Sequence, residues 1–149
     1  MGVFMSKKKM FDLSVFDSVA KSEEGAVLEL INPATGEPAI NDDVPITITL
    51  KGSDSSVYQN HLQKILQQKA KDEANPKKKV PELDLGSEVR KACKLYAKMT
   101  IGWAGVPNEN GDGFLEFSED NAIKLYMHFK EIRKQVGDFI QDQANFIKA

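Results

Sequence analysis

The sequence predicts an α+β protein: a small antiparallel N-terminal sheet with a covering helix, followed by a mainly helical C-terminal section. Three observations carry that prediction. VPITITL, residues 44 to 50, alternates with the two-residue period of a half-buried strand. From Val57, and again from Val89 and Ala122, apolar residues recur at three- and four-residue intervals, which gives a helix one face to bury. Between these stretches stand Asn32-Pro33, Thr35-Gly36, Pro76 and Pro81, residue types that turn or break a chain.

The elements follow in order. Residues 1–10 are expected to form a flexible N terminus. FDLSVFDSV, from Phe11, reads as a short strand or irregular edge, and AVLELINPATGEPAI as a strand that reverses at its Asn-Pro and Thr-Gly pairs. In VPITITL, Ile46, Ile48 and Leu50 share one face and Thr47 and Thr49 the other, which completes a sheet of about three strands. Ser53, Asp54 or Ser55 can cap the helix that follows, whose Val57, His61, Ile65, Leu62, Leu66 and Ala70 form a face suited to cover the sheet. This makes residues 11–75 a sheet-plus-helix unit, and residues 76–85, with Lys77 to Lys79 between two prolines, a solvated linker.

The second section, 86–149, opens with a helix whose inner stripe is Val89, Ala92, Cys93, Tyr96 and Ala97, continuing to Met99 or Thr100. Gly102, Gly105 and Pro107 in IGWAGVP interrupt it, and a turn or hairpin is expected at 108–117. Ser118 then caps a helix with Glu119 and Asp120 at its positive end. Its stripe runs through Ala122, Leu125, Phe129, Ile132, Val136 and Phe139, as one long helix or as two with a kink near His128 or Gly137.

Composition narrows the function. A chain of 149 residues, 41% apolar and 28% charged, has a globular composition rather than a disordered one. A net charge of -2 and only two arginines, Arg90 and Arg133, leave little for reading nucleic acid. Cys93 is the single cysteine, so neither an internal disulfide nor a cysteine metal cluster is expected, and the setting expected is cytoplasmic. No apolar run approaches the roughly 18 residues of a membrane span. No HExxH, CxxC, GxSxG or phosphate-binding glycine loop occurs, so no enzyme and no cofactor is expected.

One motif argues for a metal. NENGDGFLEFSE, residues 108–119, sets Asn108, Asn110, Asp112, Glu116 and Glu119 at the spacing of a twelve-residue calcium loop, with Gly113 at the sharp turn. Its first ligand is Asn rather than Asp, WAGVP stands where an entering helix belongs, and no second such loop occurs. A turn at Asn110-Gly111 or Asp112-Gly113, an extended stretch from Phe114 to Phe117 and the Ser118 cap use the same residues without a metal. The turn is the expectation, with calcium binding as an alternative.

Taken in order, LELINPATGEP, VPITITLKGSDSSVY, IGWAGV, FLEFSEDNAIKLY and IRKQVGDFIQDQANFIK resemble the tail assembly chaperones of long-tailed bacteriophages. The resemblance rests on Asn32, Pro33, Thr35 and Gly36, on Trp103, on Phe117, Ser118, Asn121 and Ala122, and on Val136, Phe139, Ile140, Ala144, Asn145 and Phe146. It implies a non-enzymatic role in virion assembly, in the cytoplasm of the infected bacterium. Such a chaperone binds the tape measure protein, helps recruit the tail tube protein, and is absent from the mature virion. Self-association, or a longer frameshifted form, also belongs to that expectation. The surface expected to hold the partner is near Trp103, Phe117, Phe139 and Phe146. The alternatives are a structural tail or adaptor protein retained in the virion, and a host protein-interaction module.

Overall fold

The computed structural model describes residues 10–75 and 84–147. The expected loose residues 1–9, the run Lys77 to Lys79 and most of the expected linker lie outside them. Within the described residues the architecture is α+β, as the sequence predicts.

The first element departs from expectation. The stretch from Phe11 that reads as a strand or irregular edge forms a 3-10 turn, Leu13–Phe16, and helix α1, Ser18–Glu24. Local caps decide this against β propensity. The Asp12 carboxylate accepts from the Ser14 amide at 2.9 Å, and that of Asp17 from the Val19 amide at 3.1 Å. Gly25, at φ 92°, ends α1 in a conformation that costs glycine least.

Strands β1, Ala26–Glu29, β2, Ile40–Asn41, β3, Val44–Pro45, and β4, Thr47–Leu50, come next. The expected continuous strand from Val44 to Leu50 therefore divides at Ile46. The division serves a three-way junction. Leu30 N–H donates to the Ile46 carbonyl at 3.0 Å, Ile46 N–H to that of Ala39 at 3.0 Å, and Ala39 N–H to that of Leu30 at 2.8 Å. One closed ring of backbone bonds thus joins β1, β4 and the β2–β3 ribbon. The expected reversal at Asn32 to Gly36 is present, with Asn32 Oδ1 accepting from the Ala34 amide and Asn32 N–H donating to the Glu37 carbonyl. A second reversal, Asp42-Asp43, has both residues at positive φ, 50° and 62°, the backbone of a type I′ hairpin turn.

Helices α2, Ser56–Ala74, and α3, Leu85–Met99, precede strand β5, Thr100–Ala104. β5 was not expected: IGWAG reads as a helix end, yet it completes an antiparallel sheet in the order β1-β4-β5. Ile48 faces Leu28 on one side and Trp103 on the other, and a register shift at Thr49/Leu50 leaves Ile101 partly exposed. The two expected sections therefore share one sheet. They also share one core, to which Ile48 and Leu50 of β4 and Cys93 and Ala97 of α3 all belong. Complete burial of such a side chain stabilises by about 1.5–3 kcal/mol.

Helix α2 starts at its Ser55 cap and packs on the core through Val57 and Tyr58. Leu62, Ile65 and Leu66, expected on the covering face, remain exposed, and α2 buries no residue fully.

Of the two expected alternatives the chain takes two helices, α4, Glu119–His128, and α5, Lys130–Gln141, with the break at Phe129, beside the expected position at His128. Arg133 Nη1 donates to the Tyr126 carbonyl at 2.8 Å, satisfying an acceptor left open at the end of α4. α5 runs through Gly137 unbroken. Tyr96 occupies the space of the missing side chain, since a Cβ there would lie 2.8 Å from its hydroxyl. None of the described helices is long and apolar enough to cross a membrane.

Candidate functional site: an apolar groove with a basic rim

A groove of about 1040 Å3 is bounded by α3, α4, the start of α5 and the 106–115 hairpin. That volume stands at the top of the roughly 300–1,000 Å3 range of small-molecule sites. Leu30 and Ile46 come to it from the strand junction, Val106 and Leu115 from the hairpin, and Ile123 and Met127 from α4. Phe129, at the α4–α5 break, adds a ring that is 48% exposed, a large apolar surface left to solvent.

The hairpin is built from the calcium-like stretch. Pro107 and Phe114 form a bridge, Asn108 N–H donates to the Gly113 carbonyl at 3.0 Å, and Leu115 N–H to that of Val106 at 2.7 Å. Gly111 N–H closes the turn on the Asn108 carbonyl. The Asn108 amide donates to the Asp112 carboxylate at 2.9 Å and accepts from the Asp112 N–H at 3.2 Å. Asn108 and Asp112, first and third of the spaced oxygen donors to be joined this way, thus bind each other across the turn. Among the described residues no three His, Cys, Asp or Glu side chains converge as a metal site.

Trp103 supports this wall from behind. Its Nε1 donates to the Leu115 carbonyl at 2.8 Å, and its ring meets Phe117 edge-on at 5.1 Å and 83°. Ser118 Oγ accepts from the Asn121 amide, and Asn121 Nδ2 donates to the Glu116 carbonyl. The extended stretch from Phe114 is thus pinned at one end by the indole and at the other by the α4 cap. Trp103 and Phe117 are partly buried and do not line the groove. They position Leu115, which does.

Phe139 and Phe146 form a second pair, with ring centroids 5.6 Å apart. Phe146 is 1% exposed, so as a surface for a partner it is corrected: it closes an internal joint. A Cβ on Gly52 would lie 2.7 Å from its ring, and Gly52 N–H donates to the Ser22 carbonyl, so the C-terminal 3-10 turn, Gln143–Phe146, is packed onto α1. Phe139 is partly buried against the core. The four expected partner-binding residues therefore make two separate pairs, one behind the groove and one elsewhere.

Sequence reasoning missed the rim. Arg90 and Lys94 are four residues apart on α3, as are Lys124 and His128 on α4, and all four border the groove. No side chain of the four makes a hydrogen bond or ion pair among the described residues, and the His128 ring meets that of Phe129 edge-on, centroids 4.5 Å apart. Glu109 is the one carboxylate in the lining. The two i, i+4 spacings were present in the sequence, but only the packing of α3 on α4 brings them to a common opening.

Comparison with protein-family models, curated proteins and solved structures finds no match for this chain.

Proposed function

We propose that this chain is a non-enzymatic tail assembly chaperone of a long-tailed bacteriophage, which binds the tape measure protein and helps recruit tail tube subunits. The observation that carries the reading is the apolar groove, a surface suited to bury one face of a partner helix. The ordered resemblance running from LELINPATGEP to the Ala-Asn-Phe ending supplies the biological setting. On this reading the protein acts in the cytoplasm of the infected bacterium and leaves before the virion matures.

Co-expression with a tape measure protein of the same phage tests the proposal. A co-purifying complex, and more tape measure protein in the soluble fraction, is the expected result. Failure to form any complex overturns the chaperone reading, and stoichiometric recovery of the chain from purified virions assigns it to the structural tail proteins instead.

A further inference from the structure

We propose that the groove takes an amphipathic helix whose apolar stripe is flanked by carboxylates, so that partner segments are selected by acidity as well as by apolar shape. The inference deepens the chaperone reading and rests on it for the natural partner. Its chemistry comes from the rim.

Arg90, Lys94 and Lys124 are permanent cations at neutral pH, and His128 stands beside them, against the single carboxylate of Glu109. None of the three is neutralised by an ion pair among the described residues. An apolar floor beneath unpaired cations fits a ligand that brings both an apolar face and negative charge. Spacing adds to the fit: a helix laid in the groove presents Asp or Glu every three or four residues along each edge, the interval at which α3 and α4 present their basic pairs.

Two segments of a second copy are worse matches. The exposed stripe of α2, Leu62, Ile65 and Leu66, has Lys64 and Lys69 as its nearest charged neighbours in sequence, with Asp72 and Glu73 only after Lys71 near the end of the helix, and would bring cations to the basic rim. The exposed Phe11, Leu13 and Phe16 are accompanied by Asp12 and Asp17, but both carboxylates already accept backbone N–H groups of their own turns.

The test uses the full chain and two designed helical peptides with one leucine stripe, one flanked by glutamates and the other by lysines, each followed by fluorescence anisotropy. The glutamate peptide is expected to bind at least about tenfold more tightly, with the preference shrinking as salt rises. In the Lys94→Glu/Lys124→Glu variant, at exposed positions and checked for an unchanged urea midpoint, the preference should reverse. Failure of the glutamate peptide to bind, equal binding of both peptides, or a preference that survives the double charge reversal overturns the inference. A dimer in sedimentation that the peptide dissociates also overturns it, by assigning the groove to a second copy.

The two proposals fail separately. A tape measure complex that persists in the charge-reversed variant keeps the chaperone reading and sinks the acidic-helix inference. Peptide selectivity without any tape measure complex does the opposite.

Discussion

At the scale of single residues, Tyr126 shows how one buried hydroxyl ties α4 to the junction of α3 with β5. Thr100 Oγ1 donates its only proton to the Tyr96 carbonyl at 2.7 Å, so the Tyr126 hydroxyl is the donor in their 2.7 Å bond. Burial pushes the Tyr126 phenol up to about 12 from its usual 10. Because the folded value is the higher one, its contribution is complete below pH 10 and is lost as pH rises from 10 to 12, about 3 kcal/mol in all. Urea midpoints measured across that range should fall more steeply for the wild type than for Tyr126→Phe; parallel curves would show that the phenol is not protected. Phe146→Ala should cost about 3–4 kcal/mol by the same measurement, because the cavity opens where the ring meets Gly52. A loss below about 1 kcal/mol would mean that the C-terminal turn does not stay docked on α1. The sequence shows that Phe146 is apolar and ends a helical stripe. It cannot show that Gly52, far away in the chain, leaves room for the ring, so core and surface remained open there. Trp103 was expected at a partner surface, whereas its indole bond to the Leu115 carbonyl belongs to a hairpin that only the fold defines.

At the scale of elements, legibility followed how local the controlling interaction is. The caps of α2 and α4, at Ser55 and Ser118, and the reversal after Asn32 could be read because donor, acceptor and turn residue lie within a few positions. α1 was readable by the same logic, from Asp17 before it and Gly25 after it, and the alternating apolar residues of FDLSVFDSV outweighed those signals wrongly. β5 was not readable: its one glycine, Gly102, and its few apolar residues carry no strand period, and its pairing with β4 depends on residues about fifty positions earlier. The Asp42-Asp43 turn offers a direct test, since Asp43 adopts a left-handed backbone that glycine accepts more readily. Asp43→Gly is expected to stabilise by about 0.5 kcal/mol, the relief of strain less the added chain entropy of glycine. A lower melting temperature would show that the Asp43 side chain contributes more than its backbone costs.

At the scale of the whole molecule, the packed centre is formed by β4, α3, α4 and α5, while α2 extends beyond it with no fully buried residue. Hydrogen exchange should therefore be much faster in α2 from Leu62 onward than in α3, because an isolated helix of that length is marginal in water. Equal protection would require something to cover Leu62, Ile65 and Leu66. The groove was legible only in its parts: the apolar stripes and basic spacings lie in plain sequence, but their meeting depends on the crossing of α3 over α4 and on the unforeseen β5. That same dependence bears on synthesis. Ile48 and Leu50 leave the ribosome early, whereas the helical residues that seal them, as far as Tyr126, follow much later. At about 5–20 residues per second the nascent chain carries an unsealed apolar strand for roughly 4–15 s. A protein proposed to cover the apolar helices of another would itself, for those seconds, be in need of cover.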